Sequence, residues 1–303
     1  MSKVALEIIT QNWDNFNDLR ELKYFEKEIK ALQVKDRKLF NSGMVNLINE
    51  IHKISNGYWD NVVINISAGY KATLPFLTIL AQVNKCSLYY IFEDTDALIK
   101  IPYIPLGINW QVFKENESFF YELEVKEIKE LPSGLALRDE VKSLVEEADN
   151  LVSLNPLGIT LWEKYKESFD IFMISDEAKK YLEKNKDRQS VINKSLQDLK
   201  RKLKENSTDT DLTHVLANVE LPEGFYTFKH GKENFQVRIL YKAEDYTTRY
   251  GSNDKKIYIG LIAIGSDVQN AESEYVRFWK ENSHKIENTE NYSTFRIEKE
   301  KEL

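Results

Sequence analysis

The sequence predicts an α/β domain followed by an α+β domain, and three observations carry that prediction. A β-branched run (Val62, Val63, Ile64, Ile66) stops at the small turn Ser67-Ala68-Gly69 and gives way to an apolar helical stretch, LPFLTILAQV. A continuous hydrophobic run of that kind marks a strand buried in a parallel sheet. A second strand, SLYYIFE, follows the helix, so strand, helix and strand make a βαβ unit. After Phe169 the pattern changes to one strand, long charged helices and then three strands in quick succession, GFYTFKH, FQVRILYKA and KKIYIGLIAIG, which is the signature of an antiparallel meander beside helices.

Composition narrows the function classes. With 303 residues the chain has room for two domains, and 42% hydrophobic content is that of a globular protein. No uncharged apolar stretch is long enough for a membrane span and no leader pattern opens the chain, so a cytoplasmic protein is expected. The single cysteine, Cys86, rules out an internal disulfide framework. Four histidines show no ligand spacing with cysteines or carboxylates, so neither a metal nor a resident cofactor is expected. The net charge of −7 argues against broad binding to polyanions, and any nucleic-acid contact has to be local.

Taken in order, Leu39, Phe40, Met44, Leu47, Ile48 and Ile51 recur at helical spacing over Lys38–Ile54, and Gly57 ends that helix. Prolines 102 and 105 then preclude regular pairing after SLYYIFE. FFYELEVKEI reads as strand or helix, and helices are expected at Leu135–Asn150 and Pro156–Phe169, with a break at Pro132-Ser133-Gly134. From Asp176 to about Asn206, Ala178, Tyr181, Leu182, Val191, Ile192, Leu196, Leu199 and Leu203 fall on a common side of one or two helices. A helix at Ala271–Glu281 and a polar, frayed tail close the chain. The predicted domains are 1–116, a helical connector at 117–168, and 169–303.

The turn Ser67 to Lys71 has the chemistry of an anion site. Free N–H groups and the dipole at a helix start attract negative charge, small residues admit a ligand to the backbone, and Lys71 adds a formal charge. An ordinary βα turn with a solvent-facing lysine fits the same residues.

Two resemblances extend this reading. From Leu32 to Trp110, the loop NISAGYK, its helix, the YIFE strand and the Pro-x-x-Pro stretch occur together and closely resemble the CARF domains of CRISPR-associated effectors. The resemblance implies a Rossmann-like parallel sheet whose loop binds cyclic oligoadenylate, cyclic tetra-adenylate first among the ring sizes. It implies a ligand set of Asn65, Ser67, Ala68, Gly69, Tyr70, Lys71, Thr73 and Glu93. Within it, Tyr70 either stacks on adenine or packs on the sheet, Glu93 either bonds the ligand or caps the next turn, and Asn65 holds the loop. Residues 1–30 show no counterpart of the first strand and Gly-Thr-Ser-type loop with which the family begins.

Over about 170–280, FYTFKHGKENFQVRILYKAED and KKIYIGLIAIG resemble RelE-type mRNA interferases, ribosome-dependent enzymes that cut messenger RNA without a metal. Lys229 matches the second of the family's paired strand lysines, and the first position is Thr227. Arg238 matches the arginine of an R-hydrophobic-hydrophobic-Tyr motif, and Tyr275 corresponds loosely to a late tyrosine. Ser266 and Asp267 stand where a second arginine is expected.

From the residues alone, Lys229 and His230 are adjacent in a strand and face opposite ways. His230 or the turn residue Lys232 is a candidate base, or else a partly buried polar group and a solubilising side chain. Arg238, a charge inside an apolar strand, needs either a partner or a task.

The resulting expectation is a homodimeric, ligand-activated messenger-RNA endoribonuclease acting on ribosomes in type III CRISPR defence. A two-fold interface suits a cyclic symmetric ligand. Two other readings are a ring nuclease cleaving the messenger at the first domain, and a non-enzymatic module that binds ribosome or partner.

Overall fold

The computed structural model describes residues 26–91, 97–105, 107–131, 136–216, 219–232, 235–248 and 253–299. The chain divides into two units, Met1–Ile108 with Lys142–Glu146 and Asn155–Leu161, and Asn109–Val141 with Glu147–Leu154 and Trp162–Leu303. Among the described residues no helix is long and apolar enough to cross a membrane.

The first unit begins with α1 (Arg37–Ser55), capped where Asp36 Oδ1 accepts from the Leu39 amide at 2.8 Å. Its Met44 and Ile48 are buried, as the helical spacing predicts, and it ends at Asn56 and Gly57, both at positive φ. Next come β1 (Val63–Asn65), α2 (Leu74–Asn84), β2 (Ser87–Ile91) and β3 (Leu98–Ile101). β1 and β2 run parallel, with Ile64 opposite Leu88, and β3 pairs antiparallel with β2. The expected βαβ unit is therefore present.

The strand that was expected to be buried on both faces is only three residues long, and its Val63 is 64% exposed. Among the described residues β1 has β2 as its one neighbour. The core is Trp59, Ile64, Ile66, Leu80, Ala81 and Leu88. β3 stops at Ile101, just before Pro102, and Gln82 then replaces sheet pairing. Its Nε2 donates to the Pro102 carbonyl at 3.1 Å and its Oε1 accepts from the Ile104 amide at 2.8 Å.

FFYELEVKEI resolves as helix. α3 (Gln111–Glu115) and α4 (Glu117–Lys126) precede β4 (Ile128–Glu130). The helix expected over Leu135–Asn150 is not formed. That stretch holds one helical turn, α5 (Asp139–Lys142), and the strand β5 (Val145–Ala148), then a turn at Asp149 (φ 57) leading into β6 (Leu151–Leu154), which pairs with β4. Asp-Asn adopts left-handed backbone readily, so this dipeptide favours a turn over a continuing helix. α6 (Pro156–Lys166) follows. Phe113, Phe120, Trp162 and Tyr165 stack at centroid distances of 4.7–5.9 Å. Buried Glu124 accepts from Trp162 Nε1 at 2.8 Å and from Lys166 Nζ at 2.5 Å.

The larger sheet contains β7 (Phe169–Ile174), β8 (Phe225–Lys232), β9 (Phe235–Thr247), β10 (Asn253–Gly265) and β11 (Ser293–Glu298), in the order β11-β7-β10-β9-β8. β8, β9 and β10 form the expected antiparallel meander, with Lys229 opposite Arg238 and Arg238 opposite Ala263. β7 is parallel to β10. The segment expected to be a frayed tail forms an edge strand instead, β11, antiparallel to β7.

Strand side chains alternate between faces. Phe228, Val237 and Ile239 pack on α7 (Asp176–Lys184) and α8 (Gln189–Glu205) through Leu182, Ile192, Leu196 and Leu199. Thr227 and Arg238, on the opposite face, meet α9 (Val268–Ile286). Gly265 permits the close start of α9, because a Cβ there would sit 2.3 Å from the Ala271 amide nitrogen. Asp267, standing where a catalytic arginine was sought, caps α9 by accepting from the Asn270 amide at 2.8 Å.

Candidate functional site

The structure places the second-domain candidates in two groups. Lys229 and His230 lie on β8, the edge strand, so side chains leaving it toward opposite faces still reach one groove. That groove, about 590 Å³, runs between β8 and α8. Its helical wall is Lys194, Gln197, Asp198, Arg201 and Lys202, residues three and four apart that share one helix face. Asp211, from the single turn Thr210–Thr213, closes one end.

Electrostatics sort these groups by task. Lys202 is held by three carboxylates, Asp211 at 2.5 Å, Asp209 at 3.1 Å and Asp198 at 3.9 Å. Burial lowers its pKa, but the bonds to Asp211 and Asp209 outweigh that and raise it, so it stays charged and fastens α8 to the turn. Asp211 in return is held below the usual carboxylate range, chiefly by its hydrogen bond with Lys202. Lys229 sits 3.4 Å from Asp211 in a pair whose members are 40% and 32% exposed. An exposed pair of this kind is worth about 0–1 kcal/mol, so an incoming phosphate can take over Lys229 at little cost. Arg201 is paired with Asp198 and, at 3.3 Å, with Glu205, and it too is largely exposed. His230 Nδ1 lies 3.7 Å from Asp198 Oδ2, within ion-pair range and beyond hydrogen-bond distance. A histidine near a carboxylate and beside exposed cations brings together the side chains needed to move a proton next to a phosphate.

Arg238 and Tyr275 form the other group, outside the lining of the groove. Arg238 is 2% exposed, with Nη2 donating to Glu272 Oε1 at 3.2 Å and Nη1 to the Val237 carbonyl at 3.0 Å. His214 Nε2 also meets Glu272 Oε1, at 3.1 Å. Burial raises the Glu272 carboxyl, but His214 and Arg238 outweigh it and hold it below the usual range. Tyr275 is fully buried, 2.8 Å from the Thr227 hydroxyl, and burial pushes its phenol up. The position that departs from the paired-lysine pattern, Thr227, is thus the hydrogen-bond partner of the tyrosine. Lys232 ends β8, paired in register with Phe235.

In the first unit, Asn65 Oδ1 accepts from the Ser67 amide at 3.0 Å and the Ser67 hydroxyl at 2.5 Å, and Ser67 Oγ accepts from the Ile91 amide at 2.5 Å. Asn65 thus ties the loop to the end of β2. Gly69 has φ 105 with open space around its Cβ position, a conformation that only glycine adopts readily. Ala68, Gly69, Tyr70 and Lys71 are exposed. The loop does not feed α2 directly, because a 3₁₀ turn, Lys71–Thr73, intervenes. Within it the Thr73 amide and hydroxyl both donate to the Tyr70 carbonyl, at 2.9 and 2.7 Å, so Thr73 is buried and structural. Glu93 lies outside the described residues.

Sequence reasoning missed Asp198, Arg201, Lys202 and Asp211. The signal for the first three was the stripe Lys194, Asp198, Arg201, Lys202 along α8, opposite its apolar side.

Residues 2–104 match the family described as CRISPR-associated protein (Cas_APE2256). The match spans the loop and both strands of the βαβ unit and ends before the groove. It also takes in residues 2–30, where no counterpart of a first strand was read, and residues 1–25 lie outside the described residues. No curated protein matches the chain.

Proposed function

We propose that the protein is a cyclic-oligoadenylate-activated endoribonuclease of CRISPR defence, in which the Ser67–Lys71 loop receives the ligand and the β8–α8 groove cuts RNA. The observation that carries this reading is the groove itself, where Lys229 and His230 stand together opposite Asp198 and Asp211. The family match over residues 2–104 supplies the CRISPR context.

In the proposed reaction His230 takes the proton from a ribose 2′-hydroxyl and the 2′-oxygen attacks the adjacent phosphorus. The bond from phosphorus to the 5′-oxygen breaks, leaving a 2′,3′-cyclic phosphate and a 5′-hydroxyl that receives the returned proton. Lys229, released from Asp211, balances the charge that builds on the phosphoryl oxygens, with Arg201 beside it. The chemistry calls for a base and cations, and these side chains supply both.

The ligand side rests on the exposed residues Ala68, Gly69, Tyr70 and Lys71 and on the positive φ of Gly69, around which there is open space. A homodimer presenting two such loops to one symmetric ring fits the ligand. The proposed substrate is messenger RNA on ribosomes in the cytoplasm. Titrating cyclic tetra- and hexa-adenylate into the protein and its Lys71→Ala variant tests the sensor, and absence of micromolar binding to either ring overturns it.

A second reading is favoured by one specific observation: Arg238 and Tyr275, two of the three residues brought from the interferase resemblance, are locked into packing. On that reading the second unit binds RNA without cutting it. His230→Gln separates the two, since it abolishes cleavage under the first and changes nothing catalytic under the second.

A further inference from the structure

The groove beneath Lys229 and His230 has a neighbour on the other flank of α8. Two of its wall residues, Lys194 and Gln197, also line a second groove of about 520 Å³, between the N-terminal half of α8 and the end of β11. Gln197 helps form that wall, its Nε2 donating to the Glu298 carbonyl at 3.0 Å. Arg296 and Glu298 are shared in turn with a third groove of about 340 Å³, bounded by α3 and α6. The grooves share residues pairwise, so their linings make one open surface channel within the second unit, which passes over the outer side of α8 at Lys194 and Gln197.

The channel has two chemical properties. Its lining is rich in cations, with seven Lys and Arg residues against three carboxylates. Glu117, Glu167, Glu205 and Asp209 pair with Arg296, Lys164, Arg201 and Lys202 from outside the lining, which leaves Lys114 and Lys229 the cations most open to phosphate. Its far end is aromatic. Trp110, 36% exposed, lies 6.4 Å from the Tyr165 ring at 35°, and Tyr165 lies 5.0 Å from Phe169. Arg296 fixes this floor, its Nη1 donating to the Tyr165 hydroxyl at 2.8 Å and its guanidinium 5.3 Å from the Phe169 centroid. Burial pushes the Tyr165 phenol up to about 12, so the hydroxyl keeps its proton. Lys114 and Lys164 flank the ring.

We propose that this channel is the path of a single-stranded RNA, with a nucleobase stacked on Trp110 at the end remote from His230. Spaced cations answer the repeating phosphates, and an exposed indole answers an unstacked base, the pairing by which proteins hold single strands. A duplex has no free base face to offer the indole, and a chain of Asp and Glu has no flat ring to place there. The inference rests on the reading of the β8–α8 groove as RNA-binding and adds a subsite that lengthens the footprint.

The test is fluorescence anisotropy at fixed salt, with single-stranded oligoribonucleotides of about 4 to 16 nucleotides and the full chain carrying His230→Gln to prevent cutting. Trp110→Ala is expected to weaken the longest oligomer about tenfold, ~1.4 kcal/mol, and to leave the shortest unchanged, with Trp110→Phe restoring most of the loss. Lys114→Glu, on the exposed rim, is expected to weaken the same long oligomers and serves where Trp110→Ala perturbs folding. Tight long-RNA binding untouched by both Trp110→Ala and Lys114→Glu overturns the channel and leaves the groove reading intact. Displacement of the RNA by poly-glutamate with equal potency in wild type and Trp110→Ala overturns it as well. Failure of RNA of every length to bind overturns both.

Discussion

The pair Arg238–Glu272 is buried on one side only, and this asymmetry predicts an unequal response to removing either partner. Arg238 is 2% exposed and Glu272 32% exposed, at 3.2 Å. Glu272→Ala strands a buried guanidinium whose other recorded hydrogen bond is to the Val237 carbonyl, while its Nε has no acceptor among the described residues. Breaking a fully buried pair costs about 3–5 kcal/mol. Glu272 is partly in water, so the expected loss is lower, about 2–3 kcal/mol. Arg238→Met removes the buried charge together with its desolvation, fills similar space, and leaves Glu272 with His214 at 3.1 Å and solvent. That exchange is expected within about 1 kcal/mol of wild type. Urea unfolding followed by circular dichroism measures both, and the account expects Glu272→Ala to have clearly the lower midpoint. If Arg238→Met is the more damaging variant, the guanidinium is held by something other than its counter-charge and the structural assignment of Arg238 fails. Should Arg238→Met keep wild-type stability yet lose RNA cleavage, Arg238 has a role in the reaction that its burial does not reveal.

Other consequences are simpler to check. Tyr275→Phe leaves the Thr227 hydroxyl buried without its partner and should cost about 1–3 kcal/mol in urea unfolding, while RNA affinity measured by anisotropy stays unchanged. Ser67→Ala removes the acceptor of the Ile91 amide and the hydroxyl bonded to Asn65, so calorimetry with cyclic tetra-adenylate should show affinity weakened about tenfold through loss of loop order, ~1.4 kcal/mol. Asp211 has a folded pKa below its unfolded value of about 3.9. Its contribution is therefore present above that value and is lost as pH falls through the folded pKa. Acid unfolding of Asp211→Asn should accordingly depend less steeply on pH below about pH 4 than that of wild type.

Periodicity carried most of the fold. Phe228, Val237 and Ile239 alternate with polar neighbours and were readable as meander strands, and the apolar sides of α7 and α8 were readable from their spacing. β11 was not, because an edge strand reading STFRIE buries only Ile297 fully and resembles a polar tail. The false helix at Leu135–Asn150 came from its charged composition, while the Asp149-Asn150 turn decided the outcome locally. Half of the groove was legible: Lys229 through its match to the paired strand lysines, and His230 as the titratable residue beside it. The carboxylates opposite them come from α8 and from the turn at Thr210–Thr213, brought in by long-range packing that no local pattern encodes. Arg238 was flagged as a buried charge needing a partner or a task, and its partner, Glu272, sits on a different element.

The central claim, a ligand-switched ribonuclease centred on His230, is tested most directly by mapping RNA ends. Translating ribosomes would be mixed with the protein or its His230→Gln variant, with and without cyclic tetra- or hexa-adenylate. New ends bearing a 5′-hydroxyl are expected within messenger RNA at the ribosomal A site, with wild type and ligand together and not with His230→Gln. Absence of such ends under every condition, or equal cutting by His230→Gln, would contradict it.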